Sequence, residues 1–237
     1  MSEMPTAIFL DLDDTIISYD AAVADSWQRV CSHFVPQVPG ADSVTLYAAV
    51  KAETDWYWSD PARHRIGRLD LPAARRLVVT AALRRFGVTD QELVYAMAAM
   101  RTTLHEAAIA PFPGAIETLR HWRDIDIRLA LITNGASDAQ NRKIDRFALR
   151  AYFDCIVVEG DFGTGKPDPL VFHHALQSLK VSPSCTWMIG DNLSADIAPA
   201  QTLGLTAIWH DIHGAGLPID APVVPDRIIH ALHELVV

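Results

Sequence analysis

Cysteine is scarce in this chain, positive charge is outnumbered, and long apolar runs, repeats and low-complexity tracts are missing. Only Cys31, Cys155 and Cys185 occur among 237 residues, an odd and widely spaced set. That excludes a disulfide framework or a cysteine-based metal site and predicts reduced thiols. No apolar stretch approaches the ~20 residues needed to cross a bilayer. The start, Met1–Thr6, lacks the basic segment and apolar run of a signal peptide. A cytoplasmic protein without membrane partners is the expectation. Lys and Arg number 20 against 29 Asp and Glu, a net charge of −9. Nucleic-acid backbones demand clustered cations, so a nucleic-acid partner is not expected. A small anionic ligand at a locally positive site stays open. The ten histidines show no metal-ligand spacing, and His210-Asp211-Ile212-His213 reads as a loop.

Half of the residues are hydrophobic, enough for one large domain or a domain carrying an insert. Short apolar runs predict buried strands at Ala7–Asp13, Arg128–Asn134, Asp154–Gly160, Thr186–Asp191 and Thr206–His210. Continuous rather than alternating apolar character suits a parallel sheet covered on both faces. Helices are predicted at Gly114–Arg123, Asp168–Leu179 and Ile197–Leu203. Asp168 would cap the second, with Pro169 in its first turn, and Gly204 would stop the third. Pro199 predicts a late start or a kink there. Gly214–Pro225 reads as a surface loop before a final helix. From Tyr19 to Leu104 strand signals vanish and helical periodicity takes over. Val23, Trp27, Val30 and Phe34 share one helix face, and Leu77, Ala81, Leu83 and Phe86 mark a second helix. Thr89 and Glu92 suggest a capping box for a third helix, with Leu93, Met97, Met100 and Leu104 inward. The expectation is an α/β fold: a doubly wound, Rossmann-like parallel sheet with an inserted all-helical domain. The core would comprise residues 1–18 and 108–237, and the insert residues 19–107.

Ligands of open α/β sheets bind beyond the carboxyl ends of the strands, and polar residues collect at those ends here. The first strand runs into Asp11-Leu12-Asp13-Asp14-Thr15 and the second into Thr133-Asn134-Gly135. Lys166-Pro167 follows the third, and Gly190-Asp191-Asn192, with Asp196 beyond, follows the fourth. Each piece alone has an ordinary explanation. The acids could cap helices, Thr133-Asn134-Gly135 could be a turn, and Lys166 could be solvated. Four such pieces at four successive strand ends point to one site.

In these motifs the chain resembles the haloacid dehalogenase-like superfamily. Asp11-x-Asp13-x-Thr15 is similar to its first motif, Thr133 to its second, Lys166 to its third, and Gly190-Asp191-x-x-x-x-Asp196 to its fourth. The insert resembles the helical cap found in many small-molecule phosphatases of the superfamily. The stretch Leu131–Asp168 is most similar to N-acylneuraminate-9-phosphatase and pyrimidine nucleotide phosphatases. The resemblance implies a Mg²⁺-dependent phosphatase acting on a small phosphorylated metabolite such as a sugar phosphate or nucleotide. Asp11 would be the nucleophile, and the metal would sit on Asp11, Asp191 and the main-chain carbonyl of Asp13. The Asp13 carboxyl would serve as acid and base, since residues two apart on an extended segment can share a face. Thr133, Asn134 and Lys166 would hold the phosphoryl group, and Asp196 would orient Lys166 or a metal-bound water. Asp14 stands where many members have glycine, in a turn whose backbone Asp tolerates.

The same motifs leave other readings open: a phosphomutase, a phosphonate hydrolase using Lys51, or a non-catalytic binding protein. A dehalogenase is disfavoured because it has no leaving alkoxide for Asp13 to protonate. Within the insert, Trp56-Tyr57-Trp58 with Arg63, Arg65 and Arg68 could contact a leaving group. More ordinarily, the aromatics pack and the arginines are solvated. Oligomeric state is not legible in the sequence.

Overall fold

The computed structural model describes residues 4–236, so the first three residues of the polar start, Met1–Thr6, lie outside the described residues. The strands are β1 (Ala7–Leu10), β2 (Ile17–Ser18), β3 (Ala110–Pro111), β4 (Arg128–Thr133), β5 (Cys155–Val158), β6 (Thr186–Gly190), β7 (Thr206–His210) and β8 (Arg227–Ile229). Helices α1 to α5 are Val23–Phe34, Ser43–Ser59, Pro61–Leu69, Leu71–Arg84 and Gln91–Ala108. Helices α6 to α10 are Ala115–Asp124, Ser137–Arg146, Glu159–Phe162, Pro169–Leu179 and Ala198–Thr202. The chain divides into two compact units. One joins the stretch up to Ser18 to the stretch from Ala110 onward, and the other is Tyr19–Ile109.

The first unit is a six-stranded sheet in the order β5-β4-β1-β6-β7-β8, with every pairing parallel. Its α/β, doubly wound character is as the sequence predicts. Alternate residues of a strand face opposite sides. Ala7, Phe9, Ala130, Ile132 and Met188 join Phe172, Leu176 and Ala200 of the flanking helices in one core cluster. Ile8, Leu10, Leu129 and Leu131, equally buried, point to the other side. Each fully buried aliphatic side chain stabilises by roughly 1.5–3 kcal/mol. A sheet sealed on both faces leaves its strand ends as the place for polar side chains.

Two expectations for this unit need correction. The final helix is absent: its sequence forms β8 and a single 3₁₀ turn, Leu232–Leu235. These residues pair instead along the open edge of β7. Asp226 locks the entry, its amide donating to the Ala207 carbonyl at 2.9 Å and its carboxylate accepting from the Ala207 amide at 2.8 Å. The helix expected at Ile197–Leu203 begins instead as a π-helical turn, Leu193–Ile197. Pro199 then falls in the first turn of α10, where a missing N–H costs nothing.

The second unit is all helical, with its own apolar core of Trp27, Val30, Phe34, Leu46, Val50, Val78, Val79, Leu83, Leu93 and Met97 among others. The second helix expected around Leu77, Ala81 and Leu83 is α4, with Leu83 buried. On this helix Leu77 is 58% exposed, while Val78, Val79 and Ala82 are buried. The cap of α5 is Asp90 rather than Thr89; its carboxylate accepts from the amides of Glu92 at 2.8 Å and Leu93 at 3.3 Å. All three cysteines are free thiols. No described helix is long and apolar enough to cross a membrane.

Candidate active site

The first strand hands the chain to its acids without a break in the ladder. The Asp11 amide, one residue past β1, donates to the Ile189 carbonyl at 3.0 Å. A tight turn follows in which Asp14 takes φ 55°, the left-handed conformation that Asp accepts more readily than most residues. Asp14 is buried, its amide bonded to Ile17 O at 2.7 Å and its carbonyl to the His210 ring at 3.1 Å. This turn is the fixed frame on which the Asp11 and Asp13 side chains stand.

Lys166 is not solvated but 2% exposed. Its ammonium lies 2.7 Å from Asp11 Oδ1 and 2.7 Å from Asp196 Oδ1. Burial works against the ammonium charge, and the two carboxylates more than offset it, holding the lysine above its usual range. The loop carrying Lys166 is tied to the end of β4 by a reciprocal pair of bonds. Asn134 Nδ2 donates to the Lys166 carbonyl at 2.8 Å, and the Lys166 amide donates to Asn134 Oδ1 at 2.8 Å. Glycine is required at Gly190, because a Cβ there would overlap the Asp196 carboxyl group. That close approach lets Asp196 reach under the end of β6 to Lys166.

Carboxylate oxygens of Asp11, Asp191 and Asp196 lie within 4.8 Å of one another. Burial, reinforced by neighbouring carboxylates and opposed by Lys166, raises Asp11 to about 7. Asp191 is raised to about 9, by burial first and then by Asp11 and Asp196. Lys166 already neutralises one charge of this cluster, and Asp11 and Asp196 work against the ionisation of Asp191. A hard, oxygen-seeking cation fits such a donor set. Asp191 itself is aimed by its own main chain, whose carbonyl accepts from the Trp209 indole N–H at 2.7 Å.

Asp13 is near Asp11 but differently engaged. Its carboxylate takes the Lys143 ammonium at 2.6 and 2.7 Å and the Gln140 amide at 3.0 Å. Gln140 Nε2 also reaches Thr133 Oγ1 at 2.5 Å, so one buried amide joins the ends of β1 and β4. Glu159 accepts from the Gly135 amide at 2.9 Å and fixes the turn after Thr133. The seven residues read from the motifs, Asp11, Asp13, Thr133, Asn134, Lys166, Asp191 and Asp196, are thus linked by short contacts at one end of the sheet.

Gln140, Lys143 and Glu159 were missed by the sequence reading. A signal for the first existed. Gln140 stands four residues before Ile144 on α7, and both are buried. A polar residue on the inward face of a helix asks for a partner.

Within the helical unit, the aromatic run packs locally. Gly67 presses against the Tyr57 ring, Trp58 meets Tyr57 and His64 edge-on, and Arg63 stacks on Trp56 at 3.8 Å. Arg63 also donates to the carbonyls of Trp56 and Tyr57. Its guanidinium closes the end of α2. Lys51 is an exposed member of an i,i+4 pair, 2.5 Å from Asp55. A hydrogen bond to Asp55 raises its pKa, the opposite of what an amine nucleophile requires.

Comparison with known proteins agrees with this geometry. The family model for haloacid dehalogenase-like hydrolases matches residues 5–204. The chain is 36% identical to a phosphoserine phosphatase of Thermus thermophilus, over 96% of each chain. It is 28% identical to the pyrimidine 5'-nucleotidase YjjG of Escherichia coli, over 96% of this chain and 95% of that one. A solved 2-haloacid dehalogenase of Pseudomonas syringae superposes with a TM-score of 0.62 at 30% identity, covering 98% of this chain and 96% of that one. With four motifs at four strand ends and a matching model over most of its length, the chain belongs to the haloacid dehalogenase-like hydrolase family.

Proposed function

We propose that this protein is a phosphatase that hydrolyses small phosphate monoesters through a phosphorylated Asp11. The observation that carries the reading is the Lys166 ammonium, buried between Asp11 and Asp196, with a second acid group, Asp13, held beside the first on the same turn. Relatives that act as a phosphoserine phosphatase and a pyrimidine 5'-nucleotidase support the substrate class.

In this mechanism an Asp11 carboxylate oxygen attacks phosphorus in line with the ester oxygen, forming an acyl phosphate as the P–O ester bond breaks. The Asp13 carboxyl gives its proton to the departing alkoxide. It then takes a proton from a water that attacks the acyl phosphate and releases inorganic phosphate, so each cycle restores both acids. Thr133 Oγ1 and the amides of the turn after β4 would hold phosphoryl oxygens. Lys166 keeps Asp11 in place and offsets charge gathering on the transferring group. Asp196 positions Lys166. Asp11, Asp191 and the main-chain carbonyl of Asp13 would hold Mg²⁺. When bound, the ion lowers the repulsion between carboxylate and phosphate and favours the ionised acids.

Asp13 also separates this reading from dehalogenation. An acid tethered by Lys143 and Gln140 has a task where an alkoxide leaves and none where a halide does. Lys51, paired on the surface, leaves the phosphonate hydrolase reading without its amine.

The test is phosphate release from a panel of phosphorylated metabolites, with Mg²⁺ and with EDTA, for wild type and Asp11→Asn. Metal-dependent release, reduced about 10⁴-fold or more in the variant, is expected. Phosphoryl groups returned to substrate without free phosphate would instead indicate a mutase, and no turnover in folded protein would indicate a binding role.

A further inference from the structure

The helical unit contains a buried cation two of whose donor atoms are unpaired. Arg101, on α5, is 5% exposed, and its Nε and Nη1 atoms are fully enclosed without a hydrogen-bond partner among the described residues. Its guanidinium carbon stands 5.4 Å from the Trp27 ring. A second guanidinium, that of Arg75 on α4, is also buried, but it is occupied. Its Nη1 donates to Thr102 Oγ1 at 2.7 Å, and that hydroxyl donates in turn to the Ala98 carbonyl at 2.9 Å. One turn beyond Arg101, His105 is fixed by the Tyr19 carbonyl at 2.9 Å and meets the Tyr19 ring edge-on.

Buried charge without a partner is among the most destabilising features a fold can carry, and a second like charge worsens it. Burial and Arg75 together push Arg101 down to about 10, outweighing the opposing influence of Tyr19 and Asp20. A guanidinium beside an aromatic ring, with unpaired N–H groups and a second guanidinium near enough to depress it, has the chemistry to receive a planar or tetrahedral oxyanion.

We propose that Arg101, backed by Arg75, is an anion-recognition site of the helical unit that takes a carboxylate or phosphate group of a small molecule. The group has two possible sources, the leaving portion of a substrate or a separate effector, and they share this chemistry. The site does not rest on the phosphatase reading. Only assigning its ligand to the substrate does.

Malonate is the probe, used with EDTA so that binding at the metal-dependent centre does not contribute. Wild type should gain on the order of 5 °C in Tm at a hundredfold excess over Kd. Arg101→Met should show no malonate-dependent gain, and Arg101→Lys a smaller one. In ¹⁵N–¹H spectra of the wild type, the Arg101 Nε–H signal should move as malonate is added, which needs no folded variant. Kinetics with Mg²⁺ then separate the sources, using 3-phosphoglycerate and glycerol 3-phosphate, which differ by one carboxylate. Loss in Arg101→Met of a wild-type preference for the carboxylate-bearing ester, by about 10–100-fold in kcat/KM, places the anion on the substrate. An unaltered preference, together with Arg101-dependent malonate binding, makes it a separate effector. Equal malonate shifts in all three proteins, or no shift and an unmoved Arg101 signal, would overturn the site.

Discussion

Lys166 and Arg101 are both cations removed from water, one in each unit, and their surroundings are opposite. Lys166 has a carboxylate oxygen at 2.7 Å on each of two sides and is held above its usual range. Arg101 has two enclosed nitrogens without partners and is driven down to about 10. The difference teaches that burial alone does not say what a charge is for. The sheet unit holds a finished electrostatic arrangement, in which each element supports another. The helical unit holds an unfinished one.

Methionine at each position is the sharpest way to test that contrast. Lys166→Met should lose about 3–5 kcal/mol in urea unfolding, because Asp11 and Asp196 are left facing each other uncompensated. Arg101→Met should match or exceed the wild type. Equal losses at both positions would erase the distinction.

Acidity offers a second test. In EDTA, Asp11 and Asp191 carry folded-state values of about 7 and about 9, above an unfolded value near 3.8. Between those limits the folded protein binds more protons than the unfolded chain. Their contribution is therefore complete below about pH 4 and is lost as pH rises through about 7 and then about 9. Metal-free stability should therefore fall from pH 6 to 9, by at most about 1.4 kcal/mol per pH unit for each proton released. Asp191→Asn should flatten that decline, and saturating Mg²⁺ should reverse it, since metal binds the ionised form.

The tether on Asp13 predicts a smaller, kinetic effect. Lys143→Ala should lower kcat about 10–100-fold on alkyl phosphates, whose leaving oxygen needs a proton, and distinctly less on p-nitrophenyl phosphate. Equal losses on both esters would mean that Lys143 acts on something other than the departing group. The smallest effect separates two neighbours on α4. Val78→Ala should cost about 1–2 kcal/mol and Leu77→Ser within about 0.5 kcal/mol, as measured by urea unfolding.

The chemistry at the strand ends was legible because each motif is contiguous and follows a buried apolar run. Asp11, Lys166 and Asp196 announce themselves by type and order, though only the folded chain brings them to 2.7 Å. Gln140 and Lys143 were not read, because their partner Asp13 is some 130 residues away in sequence. No local pattern encodes that distance. In the helical unit, side chains around α4 alternate among apolar residues too closely for periodicity to choose between Leu77 and Val78. β8 shows the same limit in reverse. A segment expected as helix pairs with an open strand edge that lies elsewhere in the chain. Arg101 was hidden because an arginine within a helix ordinarily reads as solvated, and its sequence neighbours give no sign of enclosure.

The small ribbon of β2 and β3 carries one more implication. It pairs Ile17 with Pro111 and Ser18 with Ala110 in antiparallel register, immediately outside the boundaries of Tyr19–Ile109. The sheet unit therefore offers a socket with two adjacent contacts, and anything inserted there need only begin and end about 5 Å apart. Closing so long an excursion is entropically similar whether it is somewhat longer or shorter. Segments of quite different length can therefore close on the same pair of short strands.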